Sequence, residues 1–373
     1  MLEVRGLEDV VAAESSICYI DGARGILSYR GIDIHELAQK STFEEVCFLL
    51  WEGRLPRREE LDATREAISA ERAVPRELLG LVANLSRSSS PMDALRTAVS
   101  ALSASDPDAS GMSRDANRRK AVRLTAQLGT IVAAFHRLRQ GQAVVPPDPG
   151  RPHADDFLRM LNGETARSAA VRAFDIALIL HADHELNAST FAARVTAATL
   201  SDMHSAVTSA IGTLKGPLHG GANEGVLRML REMGSLERVD DDLHARLARK
   251  EKIMGFGHRV YMTEDPRATH LRRMSQEVAE SSGDTRLYDM SRRIEKIMNE
   301  EKKLNANVDF YSASVYAMLG ISPDLFTPIF AVSRIAGWTA HVMEQYSDNR
   351  LIRPRAEYTG PPYPQPYVPL EAR

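Results

Sequence analysis

Cysteine is scarce in this sequence: 373 residues hold only Cys18 and Cys47. Two thiols make no disulfide framework, and neither lies in a metal-type spacing. A reduced, cytoplasmic setting is the expectation. Aromatic residues are also few, at 6%, so the core must rest on Leu, Ile, Val, Ala and Met. Long apolar runs are missing; the richest, residues 176–180, is far too short to cross a membrane. Charge of one sign is missing too. A net charge of -3 offers no general attraction to nucleic acid or to an anionic membrane. Any anionic substrate must therefore be held by individually placed arginines. Residues 1–9 carry Glu3, Glu8 and Asp9 and lack the basic and apolar sections of a targeting segment.

What is present is ordinary for a globular protein, 43% hydrophobic and 26% charged, and the length suggests about two domains. Residues 17–20 and 26–29 flank Asp21-Gly22 and read as a small β-hairpin. From Asp33 onward the pattern is helical. Thr42 is placed to cap a helix that carries Val46, Leu49 and Leu50 and closes at Gly53. Further helices are expected near residues 58–71, 91–103 and 115–139. The stretch 142–153 holds four prolines and reads as a surface loop. One helix should end near His181 and two more should fill residues 187–214. Asp265-Pro266 is a cap and first-turn pair for a helix to about Ser281. Asp309 is an adequate cap for another that stops at Gly320, and a last helix should reach about Tyr346. The proline-rich tail from Pro354 reads as an extended arm. The fold class is all-α with a minor hairpin.

The residues that could carry chemistry centre on Lys215-Gly-Pro-Leu-His219-Gly-Gly-Ala-Asn-Glu224. Gly216 and Pro217 break a helical pattern that resumes after Gly221. His219 should therefore sit near a helix N-terminus, where the dipole disfavours imidazolium. A neutral histidine there can donate to an oxygen that becomes negative during a reaction; a helix-capping histidine in a glycine turn is the plainer alternative. His181 and His184 stand one turn apart, which suits a metal, but Glu185 follows the second histidine and matches no zinc-protease motif. A helix-end pair satisfied by backbone groups is the simpler reading. In Gly255-Phe-Gly257-His258-Arg259-Val-Tyr261 the glycines can expose backbone to a ligand beside His258. Arg267 falls in the first turn of a helix, where its charge opposes the dipole, and this favours a ligand role. Asn305-Ala-Asn307-Val-Asp309 offers a carboxylate that is either a base or a cap. Arg334 lies inside an otherwise apolar helix and needs an anionic partner. Arg353 precedes the tail.

Together, Leu214 to Glu224, Gly255 to Tyr261, Asp265-Pro-Arg267, Asn307-Val-Asp309-Phe-Tyr-Ser and Ser333-Arg334-Ile-Ala-Gly-Trp resemble the motifs of the citrate synthase family. The opening Tyr19-Ile-Asp-Gly and Tyr29-Arg-Gly-Ile-Asp resembles its shorter bacterial and archaeal members. The likeness runs from about Gly6 to the C-terminus.

The resemblance implies an all-α fold of two domains. The large domain would take residues 1–220 and 321–373, and the small one 221–320. The implied reaction condenses an acyl-CoA with oxaloacetate and hydrolyses the thioester, with no metal and no redox cofactor. Asp309 would remove a methyl proton. His219 would bond the oxygen that becomes an enolate, and His258 would polarise the ketone. His184, Arg267, Arg334 and Arg353 would hold oxaloacetate. Lys250, Lys252, Gly255, Gly257 and Arg259 are candidates for CoA. Where many family members carry a basic residue near a CoA phosphate, this chain has Met262. The resemblance also implies a homodimer, each site completed by Arg353 of the partner chain, with higher assembly left open. Three functions are compatible with it: citrate synthase with acetyl-CoA, 2-methylcitrate synthase with propionyl-CoA, or a silent paralogue with an assembly or regulatory role. The intact set His219, His258 and Asp309 argues against the last.

Overall fold

The chain's caps and stops divide it into short helices, as seen in a computed structural model that describes residues 5–7, 10–258 and 260–373. Three short strands come first: β1 (Cys18–Asp21), β2 (Ile26–Tyr29) and β3 (Ile32–Asp33), an antiparallel sheet in the order β1-β2-β3. The expected hairpin thus gains a third strand, because the chain turns back at Gly31 and pairs Ile32 with Tyr29.

The helices are α1 (Ile34–Lys40), α2 (Phe43–Glu52), α3 (Arg58–Ala70), α4 (Arg76–Leu85), α5 (Pro91–Leu102), α6 (Arg114–Arg139), α7 (His153–Asn162) and α8 (Ser168–His181). They continue with α9 (Ala188–Ala197), α10 (Met203–Leu214), α11 (Ala222–Met233), α12 (Val239–Ala248), α13 (Pro266–Ser282), α14 (Arg286–Ile297), α15 (Val308–Met318) and α16 (Phe326–Ser347). The fold is therefore all-α, with the sheet a minor element.

Local chemistry explains most boundaries. Thr42 accepts from the Glu45 amide and α2 ends on left-handed Gly53. Ser90 caps α5 with Pro91 at its first position, and Asp265 caps α13 with Pro266 likewise. One expected cap moves. Asn307, not Asp309, accepts the Asp309 amide and starts α15. Its own amide Nδ2 donates to Gly257 O at 2.9 Å, so a contact from outside the helix selects between two competent caps. Asp309 lies in the first turn with its carboxylate free of capping duty.

α16 and the part of α6 from Leu124 to His136 are buried almost all round and pack against one another in the core. Helices α11 to α15 pack mainly on one another, and α13 also packs on α1 and α8. The tail beyond Pro354 is exposed and holds no helix or strand, with bends near Gly360, up to a last turn at Leu370–Ala372. Among the described residues no helix is long and apolar enough to cross a membrane.

Candidate active site

α8 ends at His181, and the chain turns through Ala182, Asp183 and His184, with Glu185 at φ 53°. α16 lies close against this turn. A Cβ at Gly337 would come within 2.4 Å of Ala182 O, so only glycine lets α16 carry Arg334 up to the His184 turn. Arg334 Nε donates to His181 O at 2.7 Å and its guanidinium sits 4.6 Å over the Phe330 ring. Among the described residues no carboxylate lies within ion-pair distance of it. Burial pulls its pKa down to about 10, against the opposing field of Asp183. A buried cation without a direct partner is a place for an anionic ligand.

His181 and His184 do not form a metal pair. His181 turns inward and bonds Ala177 O at 2.7 Å, while His184 Nε2 meets the Tyr261 hydroxyl at 3.2 Å. Among the described residues no group of three or more His, Cys, Asp or Glu is placed to hold a metal ion.

His219 lies on the loop between α10 and α11. Its Nε2 lies 2.8 Å from Ser189 Oγ and 3.3 Å from the Ser189 amide, in the first turn of α9. Burial, then Arg334, lowers its pKa to about 4. The ring is neutral near pH 7 through burial and Arg334, not through a helix terminus, and the helix start that it meets is that of α9. The capping alternative does not fit: α11 starts on Gly221, without a side-chain cap.

His258 is set by its own loop. The amides of Val260 and Tyr261 donate to its Nδ1 at 3.0 and 3.2 Å. Nδ1 is thus an acceptor, and the neutral ring carries its proton on Nε2. Burial, then Arg267, lowers its pKa to about 4. His184 is pushed down by burial and by Arg267 and Arg334.

Arg267 stands in the first turn of α13 and pairs with Asp265, the residue that caps the same helix. Its Nε and Nη2 donate to the two carboxylate oxygens of Asp265 at 2.9 and 2.8 Å. Asp265 also accepts from the Val308 amide at 3.2 Å. Burial disfavours both charges, but each is held charged by the other. Asp265 was readable only as a cap; in the fold it also joins Arg267 to the start of the Asp309 helix. Ser189 is likewise a partner, of His219, that carried no signal of its own. Burial lifts the Asp309 carboxyl to about 6, with Arg267 and Arg334 opposing.

One cavity of about 910 Å³ gathers His184, His219, His258, Arg267, Asp309 and Arg334. Arg353 is not in it. It lines a neighbouring cavity beside Arg194 and Glu344, and the two share Leu7, Val10, Ala12 and Phe191 as walls. The CoA candidates divide. Gly257 lines the cavity, with open space where a Cβ would be. Gly255 is instead packed: a Cβ there would meet Phe310 and Val226 at 2.8 Å. Lys250 and Lys252 are exposed outside the cavity wall. Arg259 lies outside the described residues. Met262 is 85% exposed.

An all-α cleft that sets a lifted carboxylate between neutral histidine donors and buried arginines defines a carbon-acid condensing enzyme acting on an anion. Comparison with known proteins gives the family. Residues 6–355 match the family described as "Citrate synthase, C-terminal domain". Citrate synthase 2 of Bacillus subtilis (strain 168) is 54% identical, with all of both chains covered. The citrate synthase structure from Pyrobaculum aerophilum superposes with a TM-score of 0.93 at 42% identity, covering 99% of this chain and 95% of that one. The citrate synthase of Thermoplasma acidophilum, solved as a ternary complex with carboxymethyl coenzyme A and oxaloacetate, gives 0.91 at 33% identity, covering 99% of this chain and 98% of that one. A 2-methylcitrate synthase of Mycobacterium tuberculosis is 44% identical over 95% of this chain and 90% of its own. The chain belongs to the citrate synthase family, transferases that form citrate from acetyl-CoA and oxaloacetate.

Proposed function

We propose that the chain condenses acetyl-CoA with oxaloacetate in this cavity and hydrolyses the thioester, releasing citrate and CoA. The observation that carries the reading is the gathering of Asp309, His219 and His258 around one space backed by Arg334. Asp309 takes a proton from the acetyl methyl group. Alone it is a weak base for so weak a carbon acid, so the enolate oxygen must be stabilised as it forms. The Ser189 amide is buried and needs an acceptor, which among the described residues an unprotonated His219 Nε2 supplies. The neutral ring then carries its proton on Nδ1, available to the thioester oxygen. A preorganised donor of this kind contributes on the order of 3–4 kcal/mol to the barrier. The methyl carbon attacks the oxaloacetate ketone, whose oxygen accepts from His258 Nε2–H. Water then cleaves the thioester. The steps as written call on no metal and no redox cofactor.

Arg334, Arg267 and His184 hold the dianion, arginine forks being suited to carboxylates. We read residues 221–320 as a small domain against a large one of 1–220 and 321–373, with the cavity between them. The packing of α11 to α15 mainly on one another supports this division, with α13 joining the two through α1 and α8. The exposed tail and the exclusion of Arg353 from its own chain's cavity support a homodimer in which the partner's Arg353 completes the site. Acetyl is favoured over propionyl because the relative named citrate synthase shares more identity than the one named 2-methylcitrate synthase. One methylene is worth only about 1–3 kcal/mol in an apolar pocket, so a thiol-release assay with oxaloacetate should compare both thioesters. A higher kcat/KM for acetyl-CoA is expected; the reverse order would reassign the chain, and no release with either would remove the catalytic reading.

A further inference from the structure

We infer that the turn of the small N-terminal sheet positions His258, by clamping the loop whose amides orient that ring. Gly22, just after β1, lies so close to this loop that a Cβ on it would sit 1.9 Å from Val260 O. Its carbonyl accepts the Met262 amide at 2.9 Å. Gly22 thus holds the loop on both sides of Tyr261. Its φ is outside the left-handed region, so glycine is needed for space, not for backbone freedom. Gly25 makes a second close approach, with Thr263 Oγ1 only 2.7 Å from where its Cβ would be.

Three consecutive residues link the turn to the ring. The amides of Val260 and Tyr261 go to His258 Nδ1, while the Val260 carbonyl and the Met262 amide abut Gly22. If the turn moves, the groups that fix the His258 tautomer move with it. The same sheet anchors the other histidine. The hydroxyl of Tyr29 on β2 donates to backbone carbonyls of the α8 end, with Ile179 O and Asp183 O each at 3.0 Å. The sheet therefore spans the His184 turn and the His258 loop, whose rings lie 5.6 Å apart between centroids. An element that looked incidental sets the spacing of two side chains facing the same ligand. Gly22 is a positioning residue, since it acts through the loop.

The inference rests on the functional reading above, and the test separates the two. Oxaloacetate binding to the full chain is measured by calorimetry, with steady-state kinetics alongside, for Gly22→Ala and for Gly31→Ala. Gly31 has φ 81° and nothing within 4 Å of its Cβ position, so its substitution strains the sheet without touching the loop. Gly22→Ala should raise the oxaloacetate dissociation constant about tenfold, as for one well-placed hydrogen bond, and lower kcat, with KM for acetyl-CoA little changed. Gly31→Ala should lower the melting temperature and leave oxaloacetate affinity alone. Met262→Pro replaces the amide hydrogen that donates to Gly22 with a ring carbon facing the Gly22 carbonyl, so it breaks the contact from the loop side and leaves the turn's own sequence intact. It should repeat the loss of affinity, and it decides the matter should Gly22→Ala not fold. Wild-type affinity in the folded variants, or an equal shift in Gly31→Ala, overturns the clamp. If the unaltered chain binds no oxaloacetate, the functional reading fails and the clamp falls with it.

Discussion

Ser189 and His219 meet at the start of α9, where the serine amide lies 3.3 Å and its hydroxyl 2.8 Å from His219 Nε2. Trp338 Nε1 donates to the same hydroxyl at 3.1 Å, so the pair is fixed from α16 as well. The contact assigns the two ring nitrogens different tasks: one satisfies a helix-start amide, and the other is left for the ligand. A histidine held this way is a preorganised donor that need not reorient during the reaction.

His219→Ala should therefore lower kcat far more than it weakens oxaloacetate binding, because its bond to the thioester oxygen strengthens only as negative charge forms. A fall in kcat on the order of 100-fold or more is expected from the loss of such a donor. Calorimetry with oxaloacetate alone makes the distinction. Should oxaloacetate affinity collapse while kcat holds, the roles given to His219 and His258 are exchanged.

Asp309 links activity to pH and to stability in opposite senses. Its pKa of about 6 exceeds the ordinary 3.8 because burial penalises the carboxylate. The base must be ionised, so kcat/KM should fall as pH drops through about 6. His219 and His258, near 4, stay neutral over that range. Between the two Asp309 values the folded chain binds the proton more tightly than the unfolded chain does. Its contribution to stability is therefore lost as pH rises from about 4 to about 6. Asp309→Asn should abolish turnover yet raise the melting temperature at pH 7.5 relative to wild type, with the difference shrinking at pH 4. A variant that turns over normally, or melts lower at pH 7.5, contradicts this account.

The helical plan was legible because the chain writes its punctuation locally. Thr42, Ser90 and Asp265-Pro266 start helices where their chemistry permits, and the site motifs lie at the ends of those helices. What was not legible depends on contacts between distant residues. Asn307 and Asp309 are both acceptable caps, and the Gly257 carbonyl decides between them. Arg267 opposes its helix dipole in sequence, but its charge is balanced by Asp265 two residues earlier. Gly255 and Gly257 look alike in the motif, yet one is packed against Phe310 and the other borders the cavity. The hairpin was readable from the two runs that flank Asp21-Gly22, but not that its turn docks on a loop more than 200 residues away.

Met262 has its amide engaged with Gly22 and its side chain 85% exposed. A lysine there can add a charge without disturbing the backbone contact. Met262→Lys should tighten acyl-CoA binding within about fivefold, the range of an exposed ion pair, and the gain should vanish at high salt. Titrating a non-reacting CoA thioester at two ionic strengths reads this directly. Unchanged or weaker affinity at low salt means that the phosphates are served elsewhere.

Arg353 is exposed and lines the cavity next to the site, with Leu7, Val10, Ala12 and Phe191 as shared walls. The tail that follows has no core of its own and carries exposed Tyr358, Tyr363 and Tyr367, apolar surface that a second chain can cover. If the partner's Arg353 reaches the oxaloacetate carboxylate, Arg353→Ala leaves a buried anion unpaired, which costs on the order of 2–5 kcal/mol in binding. Complementation tells cis from trans. Arg353→Ala subunits are mixed with Asp309→Asn subunits under conditions that exchange protomers. In the mixed dimer, one site has an intact Asp309 and receives Arg353 from the Asp309→Asn chain; the other has neither. Activity should recover towards one working site per mixed dimer. Inactive parents that form mixed dimers without recovering activity would place Arg353 in cis and end the shared-site model.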